Sequence, residues 1–257
     1  MGRSMSFKYK CGQPMPQNVV ELILYLGKVG VLTRKAWTLY LGAGSSEWKR
    51  EQLYNLEKRG ILIRHSCKQI KDTWVLSKWS FELLRSTGQL AVTPVPPHLI
   101  EHDELIGTSL LTLKKHGVCQ RWITEKELKA NSSKEYLIEK QQFGAKYPDA
   151  IFEMKHGGKV WIVALEYERT GKSIQRYKSI FREYEKFFSV SQILYIVEDP
   201  AIKRRVQSGL LSAGCASVSQ KVGFIDAHAW KENPLKASIQ KGMTSTSFAE
   251  IFKISAS

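Results

Sequence analysis

The 257-residue sequence predicts an α/β protein in two parts, helices with a short β-hairpin first and then a mixed sheet flanked by helices. Three observations carry this. Before residue 90 the apolar residues recur at helical spacing, interrupted by two short strand-like runs at 61–64 and 73–76. Residues 160–165 are nearly all apolar, the pattern of a strand covered on both faces. Between the two parts, Thr93-Pro94-Val95-Pro96-Pro97 reads as a stiff, extended linker. The expected division is therefore a domain at 1–90, a linker at 91–98, a second domain at 99–233 and a tail at 234–257.

In the first part, Val19, Val20, Ile23, Leu24 and Leu26 mark a helix ending before Gly30. Thr33 is placed to cap a second helix through Leu41. Gly42-Ala43-Gly44 makes a turn, and Ser45 or Ser46 caps a third helix through Lys58 with Leu53 and Leu56 inward. The two strands follow around a basic tip at Lys68 and Lys71, and residues 78–86 form one more helix, stopped at Gly88. Three helices and a two-stranded hairpin make the plan of a winged helix-turn-helix, whose third helix enters the major groove. Lys49, Arg50, Gln52 and Asn55 are the residue types that reach bases and phosphates, with Lys68 and Lys71 placed for the backbone. The alternative is a protein-binding winged helix with these residues as a solvated face.

The charge balance favours DNA. Lys and Arg number 39 against 24 Asp and Glu, a net charge of +15 with pI about 9.6. Such an excess points to a polyanionic partner, nucleic acid or an acidic membrane surface. Cys11, Cys67, Cys119 and Cys215 are widely spaced with no Cys-x-x-Cys pair, so reduced thiols are expected, not a zinc knuckle or a disulfide framework. No apolar run reaches membrane-spanning length and no signal peptide is visible, so the expected location is cytoplasmic.

After the linker the pattern is helix (99–115), strand (118–123), a hairpin (150–154 and 159–168 around Gly157-Gly158), an amphipathic helix (173–188), strand (193–197), helix (200–211) and strand (222–225). The tail from Pro234 is rich in Ser, Thr and Lys and reads as partly disordered, with Phe248, Ile251 and Phe252 able to dock.

The hairpin carries the chemistry. Side chains alternate along a strand, so Glu166 and Glu168 share one face and Tyr167 takes the other. Closure at the glycines brings Asp149 beside them. Three carboxylates crowded at one sheet end repel unless a cation lies between them, and hard oxygen ligands suit Mg²⁺ or Mn²⁺. The alternative is the solvent face of an edge strand. Glu101 and Glu104 stand in the preceding helix, where acids in the first turn favour the helix dipole. His102 and Glu125 are secondary candidates. Lys172, Arg176 and Lys178 lie just after the acids, as proton-handling or phosphate-binding groups.

Asp149 with Glu166-Tyr167-Glu168 on a hairpin, in this order of elements, resembles the PD-(D/E)XK nuclease superfamily, with its restriction-endonuclease-like mixed sheet. The match covers roughly residues 99–226 and departs at Glu168, where the superfamily usually has Lys. Combined with the N-terminal part, the chain resembles the MOBC plasmid mobilisation relaxases and replication-relaxation proteins. That resemblance implies Mg²⁺- or Mn²⁺-dependent nicking of double-stranded DNA at a plasmid origin of transfer, with an accessory mobilisation or coupling protein as a further partner. It makes Asp149, Glu166, Glu168 and Lys172 catalytic, with Glu104 or Glu101 completing the metal shell and Arg176 on DNA. The rivals are a transposon- or defence-associated endonuclease, sharing every site residue, and a non-catalytic DNA-binding factor with a decayed nuclease fold.

Overall fold

A computed structural model describes residues 7–65, 72–89, 91–92, 95–130 and 147–254. Lys68, Lys71 and Cys67 lie outside the described residues. The chain is mixed α/β and divides into two compact units, Met1–Gly107 and Thr108–Ser257.

In the first unit, helix α1 (Gln17–Val29) stops at Gly30, whose φ of 85° is a left-handed cap. A short strand β1 (Leu32–Thr33) leads into α2 (Arg34–Leu41), capped by the Thr33 hydroxyl at 3.1 Å from the Ala36 N–H. Helix α3 (Ser46–Lys58) takes its cap from Ser45. Strands β2 (Leu62–His65) and β3 (Thr73–Leu76) pair antiparallel, and β1 joins β3 with Leu32 opposite Trp74. That third strand was not expected from the sequence, because two residues are too few to show a period. Helix α4 (Lys78–Ser86) follows, capped by Ser77.

Val92 and Val95 are held within this unit. The Val92 N–H bonds to the Gly27 carbonyl at 2.9 Å, and Val95 is buried. The division between units falls at Gly107, inside helix α5 (Ile100–Lys115).

The second unit is built on a seven-stranded sheet. Strand β4 (Arg121–Thr124) starts later than position 118, because Val118 and Cys119 still donate to the Leu113 carbonyl that ends α5. A short helix α6 (Glu125–Lys129) carries a capping box between Thr124 and Glu127. Strands β5 (Ala150–His156) and β6 (Lys159–Glu168) form the hairpin, turning at Gly157 and Gly158 with φ of 58° and 74°. Two consecutive positive φ values are what a tight hairpin turn demands, and only glycine meets them without strain.

Helix α7 (Ile174–Glu185) crosses to β7 (Gln192–Val197), parallel to β6. Helix α8 (Pro200–Ala213) and the short α9 (Ala216–Ser219) lead to β8 (Val222–Asp226), parallel to β7. Helix α10 (Ala227–Glu232) follows. The tail then folds into β9 (Ile239–Lys241), β10 (Thr244–Thr246) and α11 (Phe248–Phe252). The expected disorder is thus corrected: β9 pairs with β8 and β10 extends the sheet edge. Phe248 anchors the segment, 6.1 Å from the Phe152 ring and 6.2 Å from Trp230.

Helices α7 and α8 cover one face of the sheet. Tyr177, Ile180, Phe181 and Tyr184 of α7 pack in one cluster with Ile162, Ala164, Ile193 and Val206. Gly209 permits the close approach, since a Cβ there would strike Tyr177. Phe188, expected in the same stripe, is 89% exposed because α7 has ended before it. No helix among the described residues is long and apolar enough to cross a membrane.

Candidate functional site

At the end of β6 the alternation of side chains places Glu166 and Glu168 under α7 and α8, on the face holding Ala164 and Ile162. They are not a solvated edge, being only 1% and 2% exposed. Buried charges persist only when hydrogen-bonded or paired, and each acid here meets its own donor. The Tyr184 hydroxyl donates to Glu166 Oε1 at 2.5 Å. The Lys172 ammonium donates to both oxygens of Glu168. Asp149, just before β5, accepts the Tyr167 N–H on Oδ2 at 2.7 Å, while its own carbonyl accepts the Glu125 N–H at 2.9 Å. The Asp149 side chain thereby continues the β5–β6 ladder beyond its last paired residues, Ala150 and Leu165.

Across the parallel register Tyr195 of β7 lies opposite Glu166. Its hydroxyl is fully buried and has no hydrogen-bond partner among the described residues. Burial pushes its pKa well above the ordinary tyrosine value, and the charges of Glu166, Glu168 and Asp149 push the same way. Burial also holds the Tyr184 hydroxyl well up, aided by Glu166, and pushes Tyr177 to about 12 against the opposing Lys172 N–H. All three tyrosines are therefore protonated at neutral pH.

The loop that supplies Lys172 is held by its neighbours. The Lys172 N–H donates to the Tyr177 hydroxyl at 3.2 Å, and the ammonium lies 5.7 Å from the Tyr177 ring. Arg205 of α8 rests against Gly171, where a Cβ would stand 2.9 Å from its Nη1.

The expected clash of three carboxylates is thus relieved by protein donors. Among the described residues, no group of three or more His, Cys, Asp and Glu is arranged to hold a metal ion. Asp149, just before β5, and Glu166, near the end of β6, are carboxylates, the ligand type of which Mg²⁺ commonly takes one or two together with waters and a substrate phosphate. Glu168 is the acid already neutralised.

Glu104 belongs to the first unit and accepts the Thr33 hydroxyl there. His102 Nδ1 lies 2.9 Å from Asp103, while Glu125 follows β4 beside Asp149, bonded to its carbonyl through the backbone N–H, and its side chain pairs with Lys129 at 2.8 Å. Arg176 is exposed in the first turn of α7, where the Ser173 hydroxyl caps its N–H. On α3, Arg50 is exposed and Lys49, Gln52 and Asn55 are half-buried. The Trp37 indole N–H bonds the Lys49 carbonyl at 2.8 Å and ties α2 to α3.

Sequence reasoning missed Tyr184, Tyr195 and Arg205. Tyr177 and Tyr184 read as part of an apolar stripe, and Tyr195 as one residue of a buried strand. The available signal was a polar hydroxyl on an otherwise apolar face, but its acid partner is set by tertiary packing.

The opposite face of the same strand end holds a second polar cluster. The Tyr167 hydroxyl and the Lys231 ammonium both donate to Glu198 Oε1, and Lys231 lies 5.8 Å from the Tyr167 ring. Burial opposes ionisation of Glu198, but the Lys231 and Tyr167 hydrogen bonds and the charges of Lys231 and Arg169 hold its pKa below the ordinary carboxylate value.

No family model, curated protein or solved structure matches the chain.

Proposed function

We propose that the chain is a divalent-metal-dependent DNA endonuclease of the PD-(D/E)XK type, with a winged-helix first unit that reads DNA and a second unit that cuts one strand. The observation that carries the reading is the buried acid row at the end of β6, with Lys172 on Glu168 and the unpartnered Tyr195 hydroxyl beside Glu166. A buried hydroxyl with no partner is expensive in an ordinary core and is explained where a further oxygen binds during function.

Asp149 and Glu166 would hold Mg²⁺ or Mn²⁺, which offsets their charge and polarises a phosphate. The chain's own groups do the rest. Tyr184 fixes Glu166, and Tyr195, kept protonated, donates to an oxygen brought against it. Lys172 supplies from the following loop the ammonium that the superfamily usually carries two residues after the strand acid. The Glu168 carboxylate holds that ammonium in place. Nicking at a plasmid origin of transfer, as in MOBC relaxases, is the most specific form of this reading, with an accessory mobilisation or coupling protein as partner.

The test is incubation of the purified chain with supercoiled plasmids carrying candidate origins, with and without Mg²⁺ or Mn²⁺, scored for open circles. Metal-dependent open circles that vanish in Asp149→Ala and Glu166→Ala, with DNA binding retained, support the reading; equal nicking by wild type and both variants sinks it. The Glu168–Lys172 pair and the lack of a three-ligand group among the described residues favour one second reading, a DNA-binding factor with a silent nuclease fold. Binding without metal-dependent nicking would select it.

A further inference from the structure

The first unit holds an open groove of about 620 Å³ lined by Arg34, Lys49, Arg50, Leu53, Tyr54 and Arg64, among others. Its two acids are engaged: Glu57 accepts the Trp74 indole N–H at 2.8 Å, and Glu47 the Ser46 hydroxyl at 3.0 Å. Tyr54 is 60% exposed and presents a ring for a sugar or base. Net positive charge with an exposed aromatic ring is the chemistry of a nucleic-acid strand.

Two of the lining arginines are bridged by one carboxylate. Arg34 Nη2 lies 2.8 Å from Asp72 Oδ2, and Arg64 Nη2 lies 3.1 Å from Asp72 Oδ1. Asp72 has a left-handed backbone, φ 61°, a conformation that Asp and Asn tolerate better than most residues. A carboxylate between two guanidiniums stands where a phosphodiester would stand in a two-arginine clamp. The arginines are 68% and 67% exposed, and ion pairs this open are weak and easily exchanged.

We propose that Arg34 and Arg64 form a phosphate clamp for one DNA strand in this groove, held closed in the free protein by Asp72, which the incoming phosphate displaces. The clamp rests on the DNA-reading role proposed for the first unit. It adds to α3 two cations from other elements, one at the start of α2 and one on β2.

The experiment measures binding of the full chain to a fluorescent duplex over a salt series. Asp72→Asn keeps the side-chain shape and the backbone preference, and should tighten binding at least about threefold. Arg34→Gln should weaken it and lower the salt slope by about one. In an Arg34→Gln/Arg64→Gln background, Asp72→Asn should give no gain. Glu82→Gln, on an exposed acid of α4, controls for net charge and should leave binding nearly unchanged. Weaker or unchanged binding by Asp72→Asn, or a gain that survives loss of both arginines, overturns the clamp alone. Absence of DNA binding by the wild type overturns the DNA-reading role and the clamp together.

Discussion

The end of β6 carries two polar clusters on opposite faces, and they differ in one respect that matters. On one face Tyr167, Glu198 and Lys231 form a closed set, in which hydroxyl and ammonium converge on one carboxylate oxygen. On the other, Glu166 and Glu168 are almost wholly buried and satisfied, yet Tyr195 among them has no partner. A cluster that only stabilises a fold has reason to use every hydrogen-bonding group. One that leaves a buried hydroxyl unused has given up stability, and such concessions concentrate at functional sites. The same strand, through a change of one residue in parity, supplies both.

The largest expected effect comes from removing the cation at the buried face. Lys172→Met leaves Glu168 charged in the core without its ammonium partner. Because Lys172 is 37% exposed, the loss should sit near the lower end of the range for broken buried pairs, about 3 kcal/mol. Denaturant unfolding would measure it, and Glu168→Gln/Lys172→Met should recover most of the stability without recovering cleavage. A single Lys172→Met variant as stable as wild type would remove the asymmetry between the two faces.

The comparison is sharpest in a pair of tyrosine substitutions with opposite signs. Tyr195→Phe deletes an unpartnered hydroxyl and should stabilise the protein by about 1 kcal/mol while lowering the cleavage rate. Tyr167→Phe deletes the bond to Glu198 and should destabilise by about 1 kcal/mol with cleavage little changed. Thermal melts and nicking rates on the same samples decide this. A destabilised Tyr195→Phe with full activity would mean that the hydroxyl is structural.

The smallest effect is the pH dependence of the closed cluster. Glu198 has a lowered folded pKa, so its contribution is present above the ordinary carboxylate pKa and is lost as pH falls through the lower folded value. Glu198 is 31% and Lys231 41% exposed, so Glu198→Gln should reduce stability at pH 7 by at most about 1 kcal/mol. The difference from wild type should shrink as pH falls through the lowered Glu198 value. A gap that persists unchanged in strong acid would show that the ion pair is not its source.

Much of this arrangement was legible in the sequence. The apolar run before Glu166, the glycine turn and the alternation of strand side chains were enough to place two buried acids on one face and Tyr167 on the other. Helix caps at Thr33 and Ser45 stood where short polar residues precede amphipathic runs. The tail was misread because its strands are three residues long, too short for a period to show, and its order comes from Phe248 packing on Phe152 and Trp230.

Local spacing determined the α/β character, the hairpin and the shared face of the acids, because helix and strand periods act over a few residues. Which donor each acid meets was decided only by tertiary structure. Tyr195 lies opposite Glu166 through a parallel pairing of β6 with β7, Tyr184 reaches the same acid from a helix packed over the sheet, and Asp72 joins Arg34 to Arg64 across separate elements. Register across a crossover and the packing of a helix on a sheet depend on the whole core, and no spacing in the chain encodes them.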